Sequence, residues 1–305
     1  MISIGSPVYR AEKILDTLVS EIDKCMSEIG EEYEIILVDD RSPDNSWQKM
    51  LELKKKNLNL KIFRLSRNFG QHPSIFAGIS QAKGDWVVVM DCDMQDKPEE
   101  IINLYQKAKE GYDVVLAKRK NRQHGFFKVA FSKMYYKTFK YLADIEVNNE
   151  IGNFGIYNKK VIDAALRIND NIKFFPLFVN WVGFNRTTID VEHDSRLEGK
   201  STYDFGKLLS LAFNTIISFS EKPLKIFVYF GGIVSIIAFL TGIYFLYKAI
   251  IGEITEPGFS SLIISIWFFS GLIISIIGIV GIYIGKAFNQ TKNRPSFIID
   301  EKYGD

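Results

Sequence analysis

The first 120 positions alternate between two hydrophobic patterns. Short, β-branched-rich apolar runs occupy Ile2–Tyr9, Tyr33–Asp39, Leu60–Ser66, Trp86–Asp91 and Asp113–Ala117. Helix-length segments lie between them, at Ala11–Ile29, Asp44–Asn57, Gln71–Ala82 and Lys97–Glu110. Strand patterns separated by helical ones predict βαβ units and an α/β fold built on a mostly parallel, doubly wound sheet. In such sheets ligands collect beyond the carboxyl ends of the strands. After Arg119 the pattern loosens: a strand is expected near Phe154–Tyr157, a helix over Lys159–Arg167 and a strand near Thr187–His193. No internal repeat or low-complexity tract is visible.

A different pattern begins at Ile226. Ile226–Tyr247 is a charge-free stretch of 22 residues and Phe259–Gly285 another of 27. About 20 apolar residues suffice to cross a bilayer as a helix. The linker from Lys248 to Gly258, with Glu253, Glu256 and the breaker Pro257-Gly258, suits a turn outside the membrane. Buried core helices are the alternative, but they seldom run this long without charge. Lys222 and Lys225 precede the first span and Lys286, Lys292 and Arg294 follow the second. The positive-inside bias therefore places both termini and the preceding domain in the cytoplasm, at the inner membrane.

Two further segments have the character of interfacial helices. Phe126–Leu142 interleaves aromatics with Lys128, Lys133, Lys137 and Lys140, and Asp204–Ser220 carries an apolar series from Leu208 to Ile217. Both suit the headgroup region; packing on the domain core is the alternative. The expected organisation is a catalytic-type domain over 1–203, a juxtamembrane amphipathic helix over 204–225, a transmembrane hairpin over 226–285 and a tail over 286–305. Gly281-x-x-x-Gly285 and Gly271-x-x-x-Ser275 offer small-residue faces for helix packing.

Composition narrows the class. Thirty-eight Lys and Arg against 36 Asp and Glu leave a net charge of +2, which argues against a nucleic-acid coat. Aromatics at 14% exclude a disordered chain. Cys25 and Cys92 have no CxxC spacing, which fits a reducing compartment, and the scattered His72, His124 and His193 do not suggest zinc. The N-terminus shows no basic region followed by a long apolar run, so no cleaved secretory signal is expected.

The chemistry concentrates where strand patterns end. Asp91-Cys-Asp93-Met-Gln95-Asp96 follows the fourth run. Two carboxylates at i and i+2, where a strand frays into a loop, can turn towards one ligand. With the Gln95 amide oxygen, Asp91 and Asp93 suit a hard divalent cation, Mg²⁺ or Mn²⁺, that keeps waters and phosphate oxygens. Alone, an Asp-x-Asp is as often a solvated loop. Asp39-Asp40-Arg-Ser-Pro-Asp44 ends the second run. Asp44 is expected to cap the next helix, leaving Asp39 and Asp40 free for a ribose or nucleobase. Tyr9, after Pro7, is either a stacking surface for a base or a buried aromatic.

In this order these motifs resemble the family 2 glycosyltransferases of GT-A fold, and most closely the polyprenyl-phosphate branch with its dolichyl-phosphate mannosyltransferases and bacterial bactoprenol glucosyltransferases. The resemblance rests on Pro7-Val-Tyr9, Val38-Asp-Asp-Arg-Ser-Pro-Asp44, Arg67-Asn-Phe-Gly70, Asp91-Cys-Asp-Met-Gln95, Lys118-Arg119 and Arg196-Leu-Glu-Gly-Lys-Ser-Thr-Tyr203, together with two C-terminal spans. It implies that Pro7, Tyr9, Asp39 and Asp40 hold the nucleotide and that Asp91, Asp93 and Gln95 engage metal and diphosphate. Arg119, Arg196 and Lys200 would face the phosphates of donor and lipid, with Arg122, Asn153 and Lys159 as candidates for the acceptor phosphate. The implied partners are a nucleotide sugar, polyprenyl phosphate and the membrane, in a homo-oligomer such as a tetramer.

Three positions depart from the family pattern. Arg10-Ala11 replaces the frequent Asn-Glu, Gly152-Asn153-Phe154-Gly155 replaces Gly-Asp-Phe-Arg, and Ser201-Thr202-Tyr203 replaces Ser-Lys-Tyr. The lost aspartate is compatible with a phosphate acceptor. Such an acceptor is anionic near pH 7, its second pKa being about 6, and needs no general base. A sugar-hydroxyl acceptor would need one, and the Gln-x-x-Arg-Trp of processive synthases is absent. A non-catalytic membrane scaffold is a third reading, disfavoured by the intact acidic motifs.

Overall fold

The computed structural model describes residues 1–119, 151–170, 173–191, 222–251 and 258–304. Its elements run β1 (Ile2–Val8), α1 (Leu15–Ile29), β2 (Tyr33–Asp39), α2 (Ser46–Lys56), β3 (Leu60–Leu65), α3 (Gln71–Ile79), β4 (Trp86–Val89), α4 (Glu100–Lys109) and β5 (Val114–Arg119). Then follow β6 (Ile151–Asn158), α5 (Lys159–Leu166), α6 (Phe175–Val182), β7 (Arg186–Val191), α7 (Lys222–Ile250), α8 (Phe259–Thr291) and β8 (Ile299–Tyr303). Both segments read as interfacial helices fall outside the described residues.

The strands form one sheet in the order β7-β5-β6-β4-β1-β2-β3-β8. Six run parallel to one another; β6 and β8 are antiparallel to their neighbours. Helices explain the apolar character of the central strands. Ile2, Ile4, Ile35, Leu37 and Val88 are fully buried, as expected when both faces of a parallel sheet are covered. Helix α1 turns Leu15, Leu18, Val19, Ile22 and Met26 onto the sheet, a spacing that places them on one helical face. Each such side chain contributes roughly 2 kcal/mol by leaving water. The helix stops at Gly30, whose φ of 72° is the left-handed geometry glycine adopts without strain.

A polar cluster is buried at the amino ends of β1 and β2. The Ser3 hydroxyl donates to Glu34 Oε1 at 2.5 Å, the Lys83 N–H donates to the same oxygen at 2.6 Å, and Lys61 Nζ lies 2.6 Å from Oε2. The Gly84 N–H donates to Ser3 Oγ at 2.8 Å. A Cβ at Gly84 would sit 2.7 Å from the Ser3 nitrogen, so only glycine fits there.

Two strands are placed where the linear pattern does not reveal them. Strand β6 inserts antiparallel between β4 and β5. Strand β8, within the segment read as a tail, pairs antiparallel with β3 from Ile62↔Tyr303 to Leu65↔Ile299 and covers an otherwise open edge. Its sequence, Ile-Asp-Glu-Lys-Tyr, carries little hydrophobic signal because one of its edges and much of its surface face solvent.

Helices α7 and α8 contain apolar windows at Leu224–Thr241 and Phe268–Thr291, none of which is buried within the protein. A core helix would hide its large side chains. Here Phe239 and Ile274 are about 70% exposed, so these are two candidate membrane spans.

Candidate functional site

Strand β1 follows β4 only as far as Gly5↔Val89, but follows β2 to Val8↔Asp39. The chain has moved from β1 to β2 and β3 on one side before placing β4 on the other, so the sheet's switch point lies between β1 and β4. The usual ligand position in open α/β sheets is the mouth at their carboxyl ends. Pro7, which has no N–H, lies past the last β4 partner, where a missing donor is tolerated in a central strand.

Tyr9 stands at this mouth, 45% exposed, with the Arg10 guanidinium 5.5 Å from its ring centre. The alternative of a buried aromatic is therefore excluded. Asp91, Cys92 and Asp93 occupy the opposite lip, following β4. Extending the Val89↔Gly155 register by two residues sets Asp91 opposite Asn153, and the Asn153 side chain hydrogen-bonds the Asp91 carboxylate. Gln71, at the first turn of α3, donates its amide to Asp91 Oδ1 at 2.7 Å. Asp93 Oδ1 accepts from the Gln95 N–H at 3.2 Å across a turn in which Met94 has a φ of 58°. Burial, reinforced by Asp96 and Asp93, pushes the Asp91 carboxyl up to about 6. Burial likewise pushes the Cys92 thiol up to about 12, which makes it a poor nucleophile.

The donor set of this loop, carboxylates with an amide oxygen, fits Mg²⁺ or Mn²⁺. Among the described residues no three His, Cys, Asp or Glu side chains gather closely enough to hold a cation alone. Without cation, Asp91 is an electrostatic burden. Its folded pKa exceeds the unfolded value of 3.8, so the folded state binds more protons between about 4 and 6. Stability then falls as pH rises through that window. Asp91→Asn should stabilise the metal-free protein at pH 7.5 by about 1–3 kcal/mol. Urea unfolding in chelator at pH 5 and 7.5 checks this; an equal effect at both pH values would refute it.

The two aspartates after β2 divide their work. Asp39 is fully buried, accepts the Ser42 N–H on Oδ1 at 3.0 Å and has Oδ2 3.3 Å from Arg64 Nε. Oδ2 makes no hydrogen bond. Asp40, by contrast, accepts the N–H groups of Phe69 and Gly70 at 2.7 and 2.9 Å, and burial raises its pKa. Each oxygen of its carboxylate is thus engaged by one backbone amide of the chain. The reason is physical: amides at a helix N-terminus lack intrahelical partners. Held this way, with Gly70 at a φ of 100°, the Arg67–Gly70 turn aims Gln71 at Asp91. Asp44 is not the N-cap of α2, a position held by Asn45; it stands one residue earlier, where its Oδ1 accepts the Ser46 N–H at 3.3 Å.

Lys159 is not at this site. Because β6 runs antiparallel to β4, Asn153 lies near its start beside the acidic loop and Asn158 ends it beside Trp86, about 17 Å away at 3.3 Å per residue. Lys159 Nζ there donates to the Ala82 carbonyl at 2.8 Å and pairs with Asp163. Lys160 pairs with Asp113 at the same end. Arg119 ends β5, which is parallel to β4 and so finishes at the acidic edge. Arg122, Arg196 and Lys200 lie outside the described residues. A Cβ at Gly155 would approach the Val115 carbonyl to 2.8 Å, so an arginine there would require β5 to move. Gln71 was missed in the sequence because a lone amide on a helix carries no motif.

The chain is similar to known proteins over nearly its whole length. The chain is 36% identical over 303 residues to the uncharacterized glycosyltransferase YkcC of Bacillus subtilis (strain 168), covering 99% of this chain and 94% of that one. It is 33% identical over 311 residues to the undecaprenyl-phosphate 4-deoxy-4-formamido-L-arabinose transferase of Proteus mirabilis (strain HI4320), covering 99% and 94%. Among solved structures, glucosyl-3-phosphoglycerate synthase from Mycobacterium tuberculosis, in complex with phosphoglyceric acid, superposes with a TM-score of 0.50 at 13% identity, over 72% of this chain and 80% of that one. That likeness shows the shared GT-A fold. The profile of Glycosyl transferase family 2 matches residues 3–166, the whole stretch from β1 to the end of α5, and with that match and two near-full-length relatives the chain belongs to this family of glycosyltransferases.

Proposed function

We propose that the protein moves a hexose, with inversion, from a UDP-linked donor to polyprenyl phosphate at the cytoplasmic face of the inner membrane. The observation that carries this reading is the acidic loop at the switch point of a sheet whose chain continues into two candidate spans. A relative named as an undecaprenyl-phosphate sugar transferase across nearly the full length supports the lipid acceptor.

In this reading Tyr9 stacks on the base, and Asp39 Oδ2, buried and without a hydrogen bond, receives a base N–H. Asp91, Asp93 and Gln95 hold Mg²⁺ or Mn²⁺, which when bound offsets the charge of the diphosphate leaving group. Gln71 and Asn153 fix the Asp91 carboxylate by hydrogen bonds. Arg119, Arg122, Arg196 and Lys200 supply the positive charge that two sets of phosphates require. Asn153 has no proton-accepting role to play, since a phosphate oxygen attacks the anomeric carbon directly. Catalysis is then positioning plus charge stabilisation. Asn153, where the family pattern has an aspartate, disfavours a sugar-hydroxyl acceptor, which needs a general base. The membrane hairpin and the small-residue faces of α8 would keep the enzyme, as a homo-oligomer, at the surface where its acceptor resides.

Membranes containing the protein, incubated with undecaprenyl phosphate and a panel of radiolabelled nucleotide sugars, should yield a lipid-soluble, mild-acid-labile sugar phosphate. Label appearing only in a mild-acid-stable glycoside would assign a hydroxyl acceptor instead.

A further inference from the structure

Arg64, Arg41 and strand β8 meet at the donor end of the sheet and are unused by the mechanism above. Arg64 on β3 is the register partner of Asp39 on β2 and of Glu301 on β8. Its Nη1 donates to Glu301 Oε1 at 3.3 Å. Its Nε faces Asp39 Oδ2 at 3.3 Å, but both atoms are buried and neither makes a hydrogen bond. The guanidinium lies 5.4 Å from the ring centre of Trp47, which in turn lies 6.0 Å from that of Tyr303 on β8. Beside it, Arg41 Nη1 donates to Asp300 Oδ2 at 2.8 Å. Arg41 follows the Asp39-Asp40 pair and holds a φ of 54°, a conformation side-chain-bearing residues seldom adopt.

We infer that Arg64 is a positioning residue for Asp39, and that β8, through Glu301 and Asp300, holds the nucleotide-recognition edge in place. The inference rests on Asp39 as the acceptor of a base N–H. A buried carboxylate oxygen without a hydrogen bond is costly unless a ligand satisfies it. Arg64 supplies a counter-charge from the side, leaving Oδ2 without a hydrogen bond of its own. Only a planar fork can address Asp39 and Glu301 from opposite edges. Asp300 performs the matching task for Arg41, anchoring the turn that carries Asp39 and Asp40. Since β8 is reached only after α7 and α8, the donor site is completed by residues from beyond the membrane hairpin.

The test uses the full chain in detergent, with calorimetric binding of UDP, GDP and TDP in the presence of Mn²⁺, donor and acceptor kinetics, and thermal unfolding. The Asp300→Asn/Glu301→Gln double variant should weaken the preferred nucleotide about tenfold. The donor KM should rise in parallel, with kcat and the acceptor KM unchanged. Arg64→Gln should weaken it further, and Arg64→Lys should recover part of the loss by keeping the charge without the fork. Nucleotide affinity unchanged in the double variant would overturn the role of β8. A lower melting temperature with unchanged affinity in Arg64→Gln would make Arg64 purely structural. If the unaltered protein binds none of the three nucleotides, the donor reading itself falls, and this inference with it.

Discussion

Asp93→Ala is expected to lower sugar transfer by about three orders of magnitude, near 4 kcal/mol of transition-state stabilisation. Asp93 sits in a turn after β4, its Oδ1 accepting the Gln95 N–H, so the substitution removes a charge from a loop and not from a strand. The sheet does not depend on it. Loss of activity should therefore come with a melting temperature within a few degrees of the unaltered protein. Measuring transfer across a Mn²⁺ titration separates two outcomes. If excess cation restores the rate, Asp93 contributes affinity for the metal; if it does not, the carboxylate also sets the geometry of the leaving group. Full activity in the alanine variant would remove Asp93 from the site altogether.

Glu34→Ala should be the most damaging change to the fold outside the apolar core. It strips Lys61 of its partner, 13% exposed against 6% for Glu34, and leaves the Lys83 N–H and the Ser3 hydroxyl without their shared acceptor. Breaking a buried ion pair in this way costs about 3–5 kcal/mol. For a domain of this size that corresponds to a melting temperature lower by about 10 °C. Glu34 also has a signature in pH. Burial opposes its charge, but Lys61, Ser3 and the Lys83 amide together hold its pKa below the ordinary 4.5. A depressed carboxylate contributes stability above its unfolded pKa and loses it as pH falls through the folded one. The difference between Glu34 and the alanine variant should hence persist from pH 7 to about 5 and shrink below about 4.5. A difference that stays constant into that acid range would assign the loss to packing alone.

How far the site was legible depends on the kind of signal each residue carries. The strand runs, the helix-length segments and the two apolar stretches reappear as elements with boundaries shifted by a few residues, as at α1, which begins at Leu15 rather than Ala11. Asp91 and Asp93 stand out in the sequence because acidic residues at the end of a buried run mark a strand's carboxyl edge, and they do follow β4. The partners of Asp40 leave no mark in the sequence, since the amides its carboxylate accepts lie 29 and 30 positions away. Lys159 was expected at the acceptor side because it follows Asn153 closely in the chain, yet an antiparallel β6 carries it to the far end of the sheet.

By itself the sequence determined most of the strands and helices, though not α6 or β8, and showed where charge is excluded and where acidic loops end the strands. Those features follow from periodicity and burial, which are local properties of side chains. Only the tertiary structure decided that β6 enters between β4 and β5, that β8 returns to β3, and that Gln71, Asn153 and Asp91 meet. Strand order and direction are held by backbone hydrogen bonds, which every residue but proline can make, so no pattern of side chains announces them.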